Sequence, residues 1–292
     1  MRLHVAGKNV LVTGSAMGIG KGLSECFARQ GANLVLADLE AQRGRLDAWA
    51  QELERTYGVR TWTFSVDLTE PDGPERLHAQ VSETVPGVHV LVNNAGICWF
   101  GTFQDMPLER LYTMILLNCT AYAKMSRLFL PAMVELGEGG ILNVSSVSAF
   151  QPVPRLGLYA ATKAFTQSLT EAIQAELPKG SRVVVSTLNP PFTKTHLIED
   201  AGVPLDYIPV RMSFMDVDEV TSSGVRAFMQ GKGRYVPGIQ NKFVFLVFSK
   251  FMPHSLLSRA SRVLTMRLSD ILPPRLAMIL AGKKGGNGFH SA

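Results

Sequence analysis

Cysteine is scarce. The 292 residues hold three, Cys26, Cys98 and Cys119, with no CxxC pair and no Cys/His cluster at metal-ligand spacing. That excludes a disulfide scaffold and a zinc-finger type of centre, and no metal is expected. Unpaired thiols suit a reduced, intracellular compartment, so a cytoplasmic location is expected. Long apolar runs are absent as well. None reaches the ~18 residues of a membrane-spanning helix, and the dense run at 243–248 is far shorter. The opening MRLHVAGKNVLV lacks the apolar stretch and small-residue cleavage site of a secretory signal. Charged residues are only 18% against 46% hydrophobic, which excludes an unfolded chain and supplies apolar surface for a sizeable core. No linker rich in Pro, Gly or Ser interrupts the first 238 residues. One domain is therefore expected over 1–238, followed by an extension over 239–292.

What is present is alternation. Short runs rich in Val, Leu and Ile at 9–13, 33–38, 61–66, 88–93, 140–145 and 182–188 predict strands buried on both faces. Longer helical patterns lie between them, at 19–30, 40–57, 73–85, 108–136 and 159–177. Pro131 predicts a kink or break near the end of the fourth. A last short strand is expected around 235–237. Repeated β-α alternation predicts an α/β fold, a single doubly wound Rossmann-type domain with a mostly parallel sheet of about seven strands.

Between the first strand and first helix stands Thr13-Gly14-Ser15-Ala16-Met17-Gly18-Ile19-Gly20. Glycines there allow a tight turn and close approach of backbone to a pyrophosphate, which the helix N-terminus then receives. Asp38 closes the second strand, where a carboxylate can bond both ribose hydroxyls of an adenosine and repel a 2′-phosphate. Leu39 and Glu40 follow it, and Met17 precedes Gly18, so no basic residue stands at either place. This favours NAD, with NADP as second choice.

Tyr159 and Lys163 stand four residues apart at the start of a predicted helix, on one face. A nearby cation favours the phenolate and makes tyrosine a usable acid or base. Ser146 lies thirteen residues earlier, at a strand's C-terminal end, where a hydroxyl can hold a substrate oxygen; Ser145 and Ser148 are rivals for that role. Asn93-Asn94-Ala95-Gly96 follows another strand and can line the crevice and brace the sheet. Asn118 sits mid-helix, where an amide is a poor helix former. It is either exposed or part of a bent helix that holds a water beside Lys163.

In this order, TGSAMGIG, Asp38, Asp67, NNAG, Asn118, Ser146 and YAATK resemble the short-chain dehydrogenase/reductase family over roughly residues 7–238. The resemblance implies an oxidoreductase that moves a hydride between a nicotinamide and a carbonyl or secondary alcohol. It makes Tyr159 the general acid/base. Lys163 lowers its pKa and grips the nicotinamide ribose, Ser146 orients the substrate carbonyl, and Asn118 completes a proton relay through water. The cofactor site it implies comprises Gly14, Ser15, Met17, Gly18, Ile19, Gly20, Asp38, Leu39, Asp67, Leu68, Asn94, Ala95, Gly96, Tyr159, Lys163, Pro190, Thr193 and Thr195. Dimers or tetramers built on the long central helices are implied too. Two departures stand out. Pro191 occupies the place of the family's usual glycine, fixing φ and removing a donor, and His89 stands where an acid is common.

In this family the segment after the sixth strand covers the substrate, here about 194–214. It carries Leu197, Ile198, Val203, Leu205, Tyr207 and Phe214, while Lys194 and Arg211 are isolated. With no cluster of Arg to grip phosphate or carboxylate, a lipophilic substrate is expected, and Cys98, Trp99 and Phe100 add an apolar wall. The alternative is that these side chains only pack the lid. Charge is divided. Residues 1–230 carry 19 Lys/Arg and 23 Asp/Glu, whereas residues 231–292 carry ten basic side chains and the single acid Asp270. The extension reads as a basic amphipathic helical segment, so 239–284 either contacts a membrane surface peripherally or packs on its own domain or a second subunit. Nucleic acid is not expected, since the body is acidic and carries no reading motif. Two rivals to an NAD-dependent dehydrogenase remain. One is an NADPH-dependent reductase of an acyl-chain ketone; the other is a membrane-docked nucleotide sensor.

Overall fold

In the computed structural model, residues 3–203 and 215–242 are described. The strands are β1 (Asn9–Thr13), β2 (Asn33–Asp38), β3 (Thr61–Ser65), β4 (Val90–Asn93), β5 (Glu138–Val144), β6 (Arg182–Leu188) and β7 (Arg234–Tyr235). They form one sheet of order β3-β2-β1-β4-β5-β6-β7. Every neighbouring pair is parallel. The helices are α1 (Gly18–Ala28), α2 (Arg43–Tyr57), α3 (Gly73–Thr84), α4 (Leu108–Ile115), α5 (Tyr122–Leu136), α6 (Gly157–Glu176), α7 (His196–Asp200) and α8 (Val217–Met229). A last helical turn spans Ile239–Lys242.

The two-residue period of a strand sends alternate side chains to opposite faces. Leu11 is in register with Val35 and Leu91, Leu91 with Ile141, and Ile141 with Val185. This row crosses five strands, and each member is fully buried against Leu77 and Val81 of α3 and Met125, Phe129 and Met133 of α5. Val10, Val12, Leu34 and Leu36 point the other way, onto Leu23 and Phe27 of α1, Leu46 and Leu53 of α2, and Phe228 of α8. Phe27 and Phe228 meet edge to face at 6.2 Å. Burying one such side chain is worth roughly 1.5–3 kcal/mol, so both faces of the sheet are firmly covered.

The break in the helical stretch 108–136 falls elsewhere than expected. α5 runs through Pro131, and residue 127, whose carbonyl would have accepted the missing N–H bond, is exposed to water. The irregularity is instead a π-helical turn, Leu116–Ala121, centred on Asn118. The first residues of the expected helix 40–57 form a separate 3₁₀ turn, Glu40–Gln42. β5 starts two residues early, because Glu138 and Gly139 pair with Arg182 and Val183. Of the expected lid, 194–203 is described, whereas Leu205, Tyr207, Arg211 and Phe214 lie outside the described residues. So does the extension from 243 onward. Among the described residues no helix is long and apolar enough to cross a membrane.

Candidate active site

The order of strands reverses between β1 and β4, and a parallel sheet opens a crevice at that point beyond its C-terminal strand ends. Here the crevice has a volume of about 1120 Å³. Pockets for small ligands and cofactors span roughly 300–1,000 Å³, so this crevice is at the large end of that class.

Its floor is the turn after β1. Gly14 has φ +64°, and a Cβ there would sit 2.9 Å from the Ala95 Cα. Gly18 has φ +56°, and Thr195 packs over it, 3.5 Å from where a Cβ would be. No side chain caps α1, and its first turn holds no acid. The free N–H groups and the positive end of the helix dipole therefore face the crevice and suit an anion. Asn94 braces this turn: its Nδ2 donates to the Thr13 carbonyl at 2.9 Å and the Gly14 carbonyl at 3.0 Å. Thr13 Oγ1 accepts from the backbone N–H groups of Asn94 and Ala95.

Asp38 lies at the crevice beside Met17, Leu39 and Gln42. Its carboxylate accepts from the Ala16 N–H at 2.8 Å and the Leu39 N–H at 2.9 Å. Arg43, the nearest cation along the chain, is paired with Asp47 at 2.8 Å. Among the described residues the basic side chains lining the crevice are Arg110 and Lys163 alone. Asp67 and Leu68 line it too, with the Asp67 carboxylate folded onto the Thr69 N–H and hydroxyl.

At the other end, Tyr159 lines the crevice together with Ser146, whose oxygen accepts from the Ser148 N–H at 3.1 Å. Burial pushes the Tyr159 phenol well above its ordinary range, the thiol of Cys98 adds to this, and the nearby Ser146 side chain opposes it. Lys163 is buried, and its Nζ donates to the Val144 carbonyl at 2.9 Å. The ammonium lies 5.7 Å from the centre of the Tyr159 ring and 5.2 Å from that of Tyr122. Burial lowers the Lys163 pKa to about 8. In the free protein the phenol is therefore raised, not lowered as the spacing of Tyr159 and Lys163 predicts. Loss of hydration is the largest cause.

Ser145 is separated from its neighbours by geometry. Its hydroxyl is buried and donates to the Lys163 carbonyl at 2.8 Å, so it anchors α6 to β5. Asn118 is fully buried and does not line the crevice. Its Oδ1 accepts from the Ile97 N–H at 3.0 Å, and its Nδ2 donates to the Ile97 carbonyl at 2.9 Å. The bent helix expected around it is present, and its side chain clamps the loop after NNAG. Ser15 and Gly20 do not line the crevice either. Ser15 is fully buried with its hydroxyl at the Ala37 carbonyl, and a Cβ on Gly20 would meet the Gly14 carbonyl oxygen at 2.0 Å. Gly14, Met17, Gly18, Ile19, Asp38, Leu39, Asp67, Leu68, Asn94, Ala95, Gly96, Pro190, Thr193 and Thr195 all line it. Pro191 does too, and its carbonyl accepts from the Thr193 hydroxyl at 3.0 Å.

Sequence reasoning missed Tyr122. It is buried under Lys163 and donates to the same Val144 carbonyl at 3.3 Å. Its position four residues after Asn118, on one helix face, was the available signal. Gln151, Arg110, Thr113 and Asn241 also line the crevice unforeseen. An apolar wall stands next to Tyr159, built from Cys98, Val153, Leu156 and Val203 with Phe192 and Leu197 packed on it.

Comparison with known proteins agrees with this geometry. The short chain dehydrogenase family profile matches residues 8–203. The very-long-chain 3-oxoacyl-CoA reductase of Bos taurus is 35% identical over 195 residues, which is 65% of this chain and 61% of that protein. The chain thus spans about three fifths of the bovine relative. Very-long-chain 3-oxoacyl-CoA reductase-A of Danio rerio is 33% identical over 228 residues, 74% of this chain and 69% of that one. Among solved structures, a short-chain dehydrogenase from Sphingobium yanoikuyae in complex with NADPH superposes with a TM-score of 0.75 at 29% identity, covering 90% of this chain and 97% of that one. One from Burkholderia phymatum in complex with NAD also gives 0.75, at 23% identity and 91% and 99% coverage, and shows the shared fold. The chain belongs to the short-chain dehydrogenase/reductase family of nicotinamide-dependent oxidoreductases.

Proposed function

We propose that this protein is an NAD(H)-dependent oxidoreductase that interconverts a lipophilic ketone and the matching secondary alcohol. The observation that carries the reading is Ser146, Tyr159 and Lys163 lining one crevice against an apolar wall. In the reductive direction a nicotinamide held in the crevice would supply the hydride for the carbonyl carbon. Ser146 and Tyr159 hold the carbonyl oxygen, and the Tyr159 hydroxyl gives it the proton. A phenol raised by burial stays protonated at neutral pH and is set to donate. Lys163, charged below about pH 8, stabilises the phenolate left behind. Asn118 acts at one remove, by fixing Ile97 and the turn at its own position.

The residues fit a dinucleotide: an uncapped helix end faces the crevice, a glycine turn admits close approach, and Asp38 stands at the end of β2. Asp38, with no cation beside it among the described residues, favours the free ribose of NAD over the 2′-phosphate of NADP. The vertebrate relatives are named for reduction of a ketone on a long acyl chain, which supports an apolar substrate. Titration with NADH and NADPH at fixed salt, followed by fluorescence, tests the cofactor. Tight NADH and weak NADPH binding is expected; preference for NADPH would remove Asp38 from the ribose.

A further inference from the structure

The most basic part of the chain has no task in the reaction just described. Residues 231–292 hold ten Lys and Arg side chains against the single acid Asp270. The start of this stretch is among the described residues. There Lys232 and Lys242 approach one aromatic ring, their ammonium groups 5.8 Å and 4.7 Å from the centre of Tyr235. Arg234 is paired with Glu171, whereas neither lysine meets a carboxylate among the described residues. Two like charges drawn onto one half-buried ring repel each other, and an anion set against them relieves that repulsion. On the same turn as Lys242, Ile239 is 85% exposed.

A membrane interface takes this combination: an aromatic ring at headgroup level, long cationic side chains that reach phosphate, and an aliphatic group below them. The sequence continues in the same way. Directly after Lys242 it reads FVFLVF, and Arg259, Arg262 and Arg267 follow among Val263, Leu264 and Leu268. These residues lie outside the described ones, but their composition pairs apolar with cationic side chains, which suits an anionic lipid surface. Nucleic acid would leave the aliphatic side chains without a partner.

The same turn borders the crevice. Gln240 and Asn241, between Ile239 and Lys242, line it. The Asn241 Nδ2 reaches the Met215 sulfur at 3.5 Å, and the Met215 N–H donates to the Phe192 carbonyl at 3.0 Å. Phe192 packs on the apolar wall beside Tyr159. The basic and apolar patch therefore adjoins the substrate end of the crevice.

We infer that Lys232, Tyr235, Ile239 and Lys242 dock the protein on an anionic lipid surface, with the segment from 243 onward as a second contact, and that docking turns the substrate end of the crevice toward that surface. Docking does not depend on the ketone reading. Its consequence does: a lipophilic ketone passes from the lipid phase into the crevice.

The test incubates the full chain with vesicles of equal parts phosphatidylserine and phosphatidylcholine, and with vesicles of phosphatidylcholine alone. The protein should sediment with the anionic vesicles, come off in high salt, and stay in solution with the neutral ones. Lys232→Gln combined with Lys242→Gln should weaken binding about 25-fold, since each lysine near such a surface contributes about fivefold. The urea unfolding curve of this double variant should be unchanged, which separates lost docking from a lost fold. A fluorophore on Ile239→Cys should be quenched by doxyl-labelled lipid, over the background of the chain's own thiols. One on Leu136→Cys, 54% exposed just before the N-terminal end of β5 and away from the crevice, should not. No binding, equal binding to both vesicles, unchanged binding by the double variant, or equal quenching at 136 and 239 would overturn the docking. Preference for a nucleic acid duplex over anionic vesicles would overturn it too. A lipophilic ketone carried in anionic vesicles should be reduced several-fold faster than the same ketone in neutral ones, and equal rates would overturn delivery from the lipid phase. Vesicle binding without turnover of any ketone would overturn the ketone reading and leave the docking standing.

Discussion

Replacing Lys163 by Met should stabilise the protein at neutral pH while abolishing its activity. The ammonium is buried, and burial lowers its pKa to about 8 from an ordinary 10.5. A depressed lysine pKa means that the unfolded chain holds the proton more tightly than the folded one. Below pH 8 the native state therefore bears the full cost of the charge, about 3 kcal/mol, because each tenfold loss of proton affinity is worth about 1.4 kcal/mol. Between pH 8 and 10.5 the unfolded chain binds more protons, so stability rises with pH and the cost disappears. Methionine has similar length and no charge, and it removes that cost. It also removes the bond to the Val144 carbonyl, but Tyr122 still donates to that oxygen, so the acceptor is not orphaned. Losing one bond costs about 1 kcal/mol, which leaves a net gain of about 2 kcal/mol at pH 7. Urea unfolding of both proteins from pH 7 to 10.5 measures it. The advantage of the Lys163→Met variant should shrink by about 3 kcal/mol across this range, ending with the variant the less stable. Parallel stability curves would refute the reasoning, because they would mean that Lys163 has an ordinary pKa in the fold.

Other perturbations have equally definite outcomes. Tyr159→Phe should remove turnover and leave cofactor binding unchanged in a fluorescence titration. Asp38→Ser should weaken NADH about tenfold relative to NADPH, read from the ratio of their dissociation constants. Asn118→Ala should cost about 1–3 kcal/mol of stability, since it orphans the Ile97 N–H and carbonyl, and it should lower kcat more than it raises KM. Leu108 and Tyr112, 71% and 64% exposed on one face of α4, present an apolar patch that suits self-association. Replacing both by Glu should reduce the molar mass measured by light scattering.

The parallel sheet was legible because strands buried on both faces leave continuous apolar runs, and the row from Val35 to Val185 is built from them. The glycine turn and the Tyr159, Lys163 and Ser146 set were legible because their spacing survives folding. What escaped depends on contacts between distant segments. Nothing local distinguishes Ser145, which ties down α6, from Ser146, which meets Tyr159. Ser15 reads as a phosphate contact from its place among glycines, yet its hydroxyl turns inward to Ala37. The π-helical turn at Asn118 arises from an amide satisfied by residues 97 and 162, which no helical periodicity encodes. Pro131 does not break α5, because the freed carbonyl lies on the wet side of the helix.

The most direct test is to follow the hydride. The purified protein would be incubated with NADH deuterated at one or the other C4 position and a lipophilic ketone, and the alcohol analysed by mass spectrometry. Transfer of one deuterium to the carbinol carbon, from one of the two labelled forms only, is the expected result. An alcohol without deuterium from either form, or no alcohol at all from any lipophilic ketone with either NADH or NADPH, would contradict the assignment of this crevice to ketone reduction.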